Sequence, residues 1–343
     1  MEELTPRQET LFGLLVQEYV KTAAPVGSRA LVERYGLQVS PATVRNDLAR
    51  LEELGYLAHP HTSAGRVPTD EGYRYFVARL LDDVTLPAHE QRTIAHQFHQ
   101  ARQEYEQWMP LAASVLTHTA RSASLVTAPQ VAESRYKHLQ LIATQGRLVL
   151  LILVLRGGMV KQQMLNLVEP LEQQVLSEAS DRLNQLCAGL SAAEIEARIE
   201  TLPPLEAEVA RLVVDEMHNT DLGAGGQVYR DGLSAVLEEP EFAEGERAHG
   251  LLRVLEERSF LESILSDVLG PEVGNVRVVI GGEGRWEELR SCSMVLVRYG
   301  VTGFATGALG VVGPTRMFYG RAISAVRFVA GLLSDLVYDL YTG

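Results

Sequence analysis

Cysteine, long apolar runs and excess positive charge are all scarce in this 343-residue chain. The two cysteines, Cys187 and Cys292, lie far apart and show no metal-site spacing, so no metal or cofactor is expected, and a reduced, cytoplasmic chain is the simplest interpretation. The longest apolar run, Leu148–Leu155, is far shorter than the roughly 20 residues of a membrane-spanning helix. No basic segment followed by an apolar one begins the chain, so no secretory signal is expected.

The net charge of −13 seems to disfavour nucleic-acid binding, but the acidic residues are unevenly distributed. Residues 1–80 contain nine Lys/Arg and ten Asp/Glu, whereas the remaining residues contain 22 and 34. DNA binding needs locally placed arginines rather than a basic whole chain. A nearly neutral DNA-binding unit has weak non-specific affinity, so we expect two copies acting together on two half-sites.

The most informative segment is the short helix predicted after Ser40. Ser40 is a favourable N-cap, Pro41 suits the first helical position, and Gly55 is expected to end the helix. Apolar residues at i, i+4 and i+7 bury one face, and the opposite face presents small and hydrogen-bonding side chains. The residues of that second face are Ala42, Thr43, Arg45, Asn46, Ala49 and Arg50. This pattern predicts a DNA-recognition helix.

The flanking segments predict a winged helix-turn-helix over residues 1–80. A helix is expected over 5–21, and a second over 29–35, capped by Ser28. Residues 56–58 and 66–67 are expected to pair as a wing, and Thr69 to cap a helix over 70–82. The alternative interpretation is a three-helix structural module with a solvated Arg/Asn face.

Specific roles follow for the candidate DNA contacts. Arg45 is suited to a guanine edge, Asn46 to adenine, and Thr43 to a thymine methyl group or a phosphate. Arg50 either clamps DNA or forms a salt bridge on its own helix, and both possibilities stay open. A metal site at His59 and His61 lacks a third ligand nearby. The full predicted set is Ser28, Arg29, Ser40, Ala42, Thr43, Arg45, Asn46, Arg50, His61, Thr62, Ser63 and Arg66.

Beyond residue 80 the pattern predicts an α+β multidomain chain. A helical connector is expected over 81–120, followed by a three-stranded antiparallel meander with Leu148–Leu155 as its central strand. Strands resume after residue 272, and a final helix covers about 316–341. We therefore predict one antiparallel sheet domain, formed by 121–204 and 272–343 and interrupted by a mostly helical insertion at 205–271.

Several motifs along the chain resemble those of HrcA, a bacterial family of heat-inducible transcription repressors. They are Pro25–Arg29, Ser40–Asp47, Gly55–Leu57, Pro60–Thr69, Gly72–Arg74, Gly232–Leu233, Pro240–Phe242 and Gly310–Met317. The resemblance implies a winged helix, a GAF-like domain and an inserted dimerisation domain. It further implies a dimer that represses heat-shock chaperone genes at an inverted-repeat operator, with a GroEL-type chaperonin maintaining its activity. No membrane association is expected.

The competing hypothesis is an enzyme, or a small-molecule-sensing GAF-like domain, with an attached winged-helix regulatory unit. Its only motif is Gly282-x-Gly284, which lacks the third glycine and the downstream acid of a dinucleotide loop. No nucleophile–base pair with recognisable spacing is present, so no catalytic residue is expected. An open pocket with convergent polar groups would favour the competing hypothesis, and a filled apolar interior would oppose it.

Overall fold

The computed structural model describes residues 4–60, 65–81, 84–101, 105–131, 134–156, 160–222, 227–243 and 245–342. Its contacts divide the chain into two units. The first comprises Met1–Thr127, Val228–Tyr299 and Ala308–Leu333. The second comprises Ala128–Gln227, Gly300–Gly307 and Ser334–Gly343.

The chain begins with the predicted helix-turn-helix and a two-stranded wing. Its elements are α1 Pro6–Thr22, α2 Ser28–Tyr35, α3 Pro41–Glu53, β1 Leu57–Ala58, β2 Val67–Pro68 and α4 Asp70–Tyr75. The two wing strands are antiparallel, with Leu57 opposite Pro68. The helix predicted over 70–82 is shorter, because a π-helical turn follows α4 at Phe76–Leu80.

Local capping explains where α3, the predicted recognition helix, begins and ends. The Ser40 side chain accepts a hydrogen bond from the Thr43 amide at 3.1 Å, and Pro41 is the first helical residue, as predicted. Gly55 takes the left-handed conformation at φ 83° that reverses the chain after α3. The prediction that Ser28 caps α2 is wrong by one position. Gly27 has the extended cap conformation, while Ser28 is the first residue of the helix.

The remaining elements alternate between helices and antiparallel strands. They are α5 Ala88–Gln100, α6 Tyr105–Ala120, β3 Ala123–Thr127, β4 Gln130–Val131, β5 Tyr136–Ala143, β6 Leu148–Leu155, β7 Val160–Asn166, α7 Gln173–Cys187, α8 Ala192–Glu196, α9 Pro204–Leu222, β8 Val228–Asp231, α10 Leu233–Leu237, α11 Gly245–Glu256, α12 Arg258–Val268, β9 Arg277–Ile280, β10 Cys292–Val301, β11 Ala305–Pro314 and α13 Tyr319–Thr342.

The main sheet has the strand order β8-β3-β11-β10-β9, with β4 also pairing with β11. On one face, Met294 and Leu296 of β10 belong to an apolar cluster that includes residues of α10, α11 and α12. On the other face, the Ser293 hydroxyl lies 2.7 Å from the Tyr319 hydroxyl of α13. Helical cover on both faces explains why β10 and β11 are buried along almost their whole length.

The second unit contains a three-stranded antiparallel sheet in the order β5-β6-β7. The central position of β6 confirms the prediction made from its apolar run. Alternate β6 residues, such as Leu151 and Leu153, are buried in a cluster with residues of α7 and α9. Their neighbours Leu150 and Ile152 are only half-buried, because they lie on the opposite face of the sheet.

This organisation differs from the predicted domain boundaries. The three-stranded meander and the helices through residue 222 form the separate unit, whereas residues 228–271 belong with the main sheet. Strands β3 and β8 were not predicted, yet they pair with each other, Ser124 opposite Asp231. The segment between them therefore leaves the main sheet and returns to it. Composition and periodicity identify strands but do not tell which sheet a strand joins.

Candidate nucleic-acid interface

Helix α3 presents two faces of opposite character. Val44, Leu48 and Leu51 on one face are fully buried. Arg45 and Asn46 on the other are exposed, and their side chains form no hydrogen bond or ion pair within the described residues. Unengaged arginine and asparagine side chains on a short exposed helix are the groups that read base edges in a major groove.

The opposite side of α3 is attached to α1 by a two-pronged ion pair. The Arg7 guanidinium donates to Asp47 from Nε at 2.8 Å and from Nη2 at 3.1 Å. Asp47 is only 7% exposed, and its carboxylate raises the pKa of Arg7. Such bidentate pairs constrain direction as well as distance, so α1 fixes the rotation of α3 about its own axis.

Helices α1 and α2 are joined by a second buried carboxylate. Glu18 of α1 is 6% exposed, accepts a hydrogen bond from the Tyr35 hydroxyl at 3.1 Å, and is paired with Arg34. The three helices are therefore held together by polar contacts in addition to their apolar core.

Two predicted contact residues take part in local interactions on α3. Arg50 pairs with Glu53 at 3.0 Å, one of the two possibilities that the sequence left open. The Thr43 hydroxyl lies 2.9 Å from the Ser40 hydroxyl at the start of the helix. Both Ser40 and Ala42 are exposed, and Arg50 and Thr43 are half-buried.

Arg66, one of the predicted DNA-contact residues, pairs with α3. Its side chain is 10% exposed, and its Nε donates to Glu52 of α3 at 3.0 Å. Its backbone also exchanges two hydrogen bonds with Val26, at 2.9 and 3.0 Å. Arg66 therefore connects the wing to α3 and to the turn between α1 and α2. Gly65 beside it has φ 83°, and an added Cβ would lie 2.8 Å from the Val26 backbone.

The other predicted residues fall into two groups. Ser28 is half-buried, and Arg29 is exposed with its Nε 3.8 Å from Glu33, so both lie at the N-terminal end of α2. His61, Thr62 and Ser63 lie outside the described residues.

Comparisons with known proteins give two family models that match separate parts of the chain. Residues 1–65 match the model of the LexA DNA binding domain, and residues 106–323 match the HrcA protein C terminal domain. A heat-inducible transcription repressor HrcA from Roseiflexus castenholzii is 46% identical over 347 residues, which cover 99% of this chain and 96% of that protein. The chain belongs to the HrcA family of heat-inducible transcription repressors.

Other relatives extend the same comparison. An HrcA repressor from Herpetosiphon aurantiacus is 44% identical, with 99% of this chain and 97% of that protein covered. The crystal structure of a hypothetical protein aligns with a TM-score of 0.62 and 24% identity, covering 98% of both chains, which shows a shared fold.

Membership of the HrcA family decides against the enzyme hypothesis, because these relatives are transcription repressors and not enzymes. The Gly282-x-Gly284 motif forms a tight turn after β9 in which Gly281, Gly282, Glu283 and Gly284 all have positive φ. A turn of this kind ends a strand and lacks the helix that a dinucleotide loop opens. Within the described residues, no group of three potential metal ligands occurs, and none of the helices has the length and apolarity to cross a membrane.

Sequence reasoning missed the residues that orient α3, namely Arg7, Asp47 and Glu52. The sequence does indicate that Asp47 is buried, because it lies at i+3 from Val44 on the apolar stripe that also contains Leu48. A carboxylate on a buried stripe needs a cationic or hydrogen-bonding partner. The identity of that partner, 40 residues away, depends on how α1 packs.

Proposed function

We propose that this chain represses heat-shock chaperone genes by binding an inverted-repeat operator as a dimer, with α3 of each copy in a major groove. The single observation that carries the proposal is the contrast on α3 between the fully buried Leu48 face and the unengaged Arg45 and Asn46. Side chains of this chemistry at adjacent exposed positions of α3 are able to reach base edges in a major groove.

Each side chain is assigned a role by its chemistry and its place. Arg45 pairs with guanine O6 and N7, and Asn46 with adenine N6 and N7. Ala42 and Thr43 lie near the start of α3, where a recognition helix approaches the bases. Arg50 adds a further DNA contact when its ion pair with Glu53 breaks. Such a break costs little, because ion pairs on the surface contribute little stability.

Phosphate contacts flank the base readers. Ser28 and Arg29 lie in the first turn of α2, where free amides and the helix dipole favour an anion. Ser40 is suited to donate its hydroxyl proton to a phosphate while it accepts from the Thr43 amide. His61, Thr62 and Ser63 lie in the sequence between β1 and β2, and we assign them to the neighbouring DNA backbone. Arg66 acts indirectly, by holding the wing against α3.

Self-association is supported by the second unit, whose three-stranded sheet has one face packed on helices and one apolar outer face. Leu150 of β6 lies between Ile142 of β5 and Met164 of β7 in the strand register. Met164 is 50% exposed and Val160 is 51% exposed. An apolar face of this extent needs cover in water, and a second copy provides it symmetrically.

A GroEL-type chaperonin is the proposed partner that maintains the active repressor. A protomer that has not yet paired exposes the same apolar sheet face. Exposed apolar surface makes partly assembled chains prone to aggregate, and chaperones act on such chains. The supply of active dimer then depends on free chaperonin, which links repression to folding stress.

Comparison of operator and scrambled DNA for single-residue variants at fixed salt tests the proposal. Asn46→Ala and Arg45→Ala should each weaken operator binding by about 1–3 kcal/mol and leave scrambled DNA nearly unaffected. Arg258→Ala is the matched control and should change neither affinity, because Arg258 lies on α12 and pairs, among the residues that the structure describes, only with Glu262 one turn away at 2.8 Å. Equal losses on both DNAs for Asn46→Ala would contradict its assignment as a base reader.

A further inference from the structure

Arg316 lies between β11 and α13, and carboxylates just after α10 bind its guanidinium. Its side chain is only 11% exposed. Nη2 donates to Glu241 at 3.1 Å, and the guanidinium makes further short contacts with Glu241 and Glu239. The final helix, expected from about residue 316, begins at Tyr319, so Arg316 itself lies in the preceding turn.

The same guanidinium also reaches the end of α1. Its Nη1 lies 3.5 Å from the carbonyl oxygen of Val20, within the last turn of that helix. Carbonyls in the last turn lack helical partners and carry the negative end of the helix dipole, so a cation is favoured there. Tyr19, next to Val20, is close enough to the cluster that Glu241 reinforces the effect of burial in raising the pKa of its hydroxyl.

Two further contacts join the winged helix to the main sheet. Tyr73 of α4 packs against Tyr319 with ring centroids 5.8 Å apart, and the buried Tyr73 hydroxyl has no hydrogen-bond partner within the described residues. Arg74 adds one hydrogen bond to the Ile280 carbonyl at 3.3 Å. Ring packing tolerates small rotations, whereas Glu239 and Glu241 fix the direction in which the Arg316 guanidinium presents Nη1 to the Val20 carbonyl.

Helix α1 transmits any rotation to the recognition helix. Arg316 contacts its C-terminal end, whereas the Arg7–Asp47 pair joins its N-terminal end to α3. Seventeen helical residues span about 25 Å, so a tilt of about 8° moves the far end by about 3.5 Å, close to the rise of one base pair.

We propose that Arg316 is a positioning residue that fixes the angle of the winged helix on the main sheet and thereby sets the operator half-site spacing that the dimer accepts. This inference rests on the proposed function, because spacing has meaning only for two recognition helices on one DNA. Arg316 itself does not touch DNA in this proposal.

A spacing series tests this role. Affinities are measured for duplexes whose two inverted half-sites are moved apart in steps of one base pair, for the wild type, Arg316→Met, Arg316→Lys and Arg258→Met. The wild type should prefer one spacing. Arg316→Met should lower affinity for that spacing about tenfold while changing the neighbouring spacings less than twofold, which flattens the profile. Arg316→Lys, which keeps the charge but loses the planar fork, should be intermediate, and the control Arg258→Met should match the wild type.

The outcomes separate the two levels of the proposal. If the affinity of the wild type does not vary with half-site spacing, the result would contradict the proposed function, since it would mean that the two copies are not held in one geometry. A peaked wild-type profile that Arg316→Met leaves unchanged, or lowers equally at every spacing, would overturn the positioning role alone. If circular dichroism shows that Arg316→Met does not fold, Glu241→Gln takes its place, because it removes one carboxylate partner and keeps Glu239.

Discussion

Arg66 of the wing donates from Nε to the Glu52 carboxylate of α3 at 3.0 Å, and this pair is largely shielded from solvent on the arginine side. The wing is therefore attached to the recognition helix through a side chain that a purely local interpretation assigns to DNA. Removal of either partner leaves the other partly buried without its counterion, which is more costly than the loss of an exposed pair.

We expect Arg66→Ala to lower the free energy of unfolding by about 1–3 kcal/mol and Glu52→Ala by about 1 kcal/mol. The double variant should lose less than the sum, because the two side chains interact directly. Urea unfolding of the four proteins measures this coupling. A variant Arg66→Ala of wild-type stability with uniformly weaker binding to all DNA sequences would instead support a direct phosphate contact.

Ser40 allows the capping and DNA-contact roles to be separated. Aspartate is as good an N-cap as serine, but it places a negative charge where a phosphate is proposed. Ser40→Asp should therefore keep stability within about 0.5 kcal/mol and weaken binding to both operator and scrambled DNA by about tenfold. Ser40→Ala should cost about 1 kcal/mol of stability, since it removes the bond to the Thr43 amide. Unchanged DNA affinity in Ser40→Asp would mean that this position lies away from the backbone.

Gly72 and Gly13 of the winged helix differ in the space available for an added side chain. A Cβ on Gly72 of α4 would lie 2.2 Å from the Tyr56 carbonyl oxygen, whereas a Cβ on Gly13 of α1 meets nothing within 4 Å. Gly72→Ala should destabilise the protein by about 2–3 kcal/mol, because the Tyr56 backbone must move. Gly13→Ala should stabilise it by about 0.5–1 kcal/mol through helix propensity. Thermal unfolding checks both, and equal effects of the two substitutions would contradict the packing of α4 on Tyr56.

The winged helix was predictable from sequence because its determinants are local. Ser40, Pro41 and Gly55 mark the recognition helix within sixteen residues, and the apolar stripe of Val44, Leu48 and Leu51 identifies its buried face. Capping and periodicity act over one or two turns, so each can be read without knowing the rest of the fold.

Domain organisation and the inward direction of Arg66 were not predictable in the same way. Strand β3 pairs with β8 across about a hundred intervening residues, and Arg66 pairs with Glu52 fourteen residues earlier. Neither partner is specified by any nearby pattern. Strands of the two sheets have similar composition, so nothing in the sequence marks the end of β3 as the start of the second unit.

The thiols of the two cysteines should react very slowly with alkylating reagents in the folded protein. Burial raises the pKa of Cys292 to about 12, and it also raises the pKa of Cys187. Because the thiolate is the reactive form, alkylation of native Cys292 at pH 8 should be about a thousandfold slower than in the unfolded chain. The raised pKa means that the folded state binds the thiol proton of Cys292 more tightly than the unfolded state does. The contribution of this group to the free energy of unfolding is therefore complete below pH 9, and it is lost as the pH rises towards 12. Mass spectrometry after iodoacetamide treatment checks this, and rapid labelling of the native protein would contradict the burial.

The apolar outer face of the second unit makes the dimer proposal testable at one residue. Ile152 is central in that face, between Gln140 of β5 and Gln162 of β7 in the strand register. A carboxylate introduced there would be desolvated in a dimer interface but hydrated in a monomer, so Ile152→Glu should raise the dimer dissociation constant by tenfold or more while changing monomer stability little. Gln163→Glu adds the same charge on β7 opposite the inward-facing Leu151, and as the matched control it should leave the dimer intact. Sedimentation equilibrium measures both variants. If Ile152→Glu remains as dimeric as the wild type, the second copy does not cover this face, and the two recognition helices must be brought together by another surface.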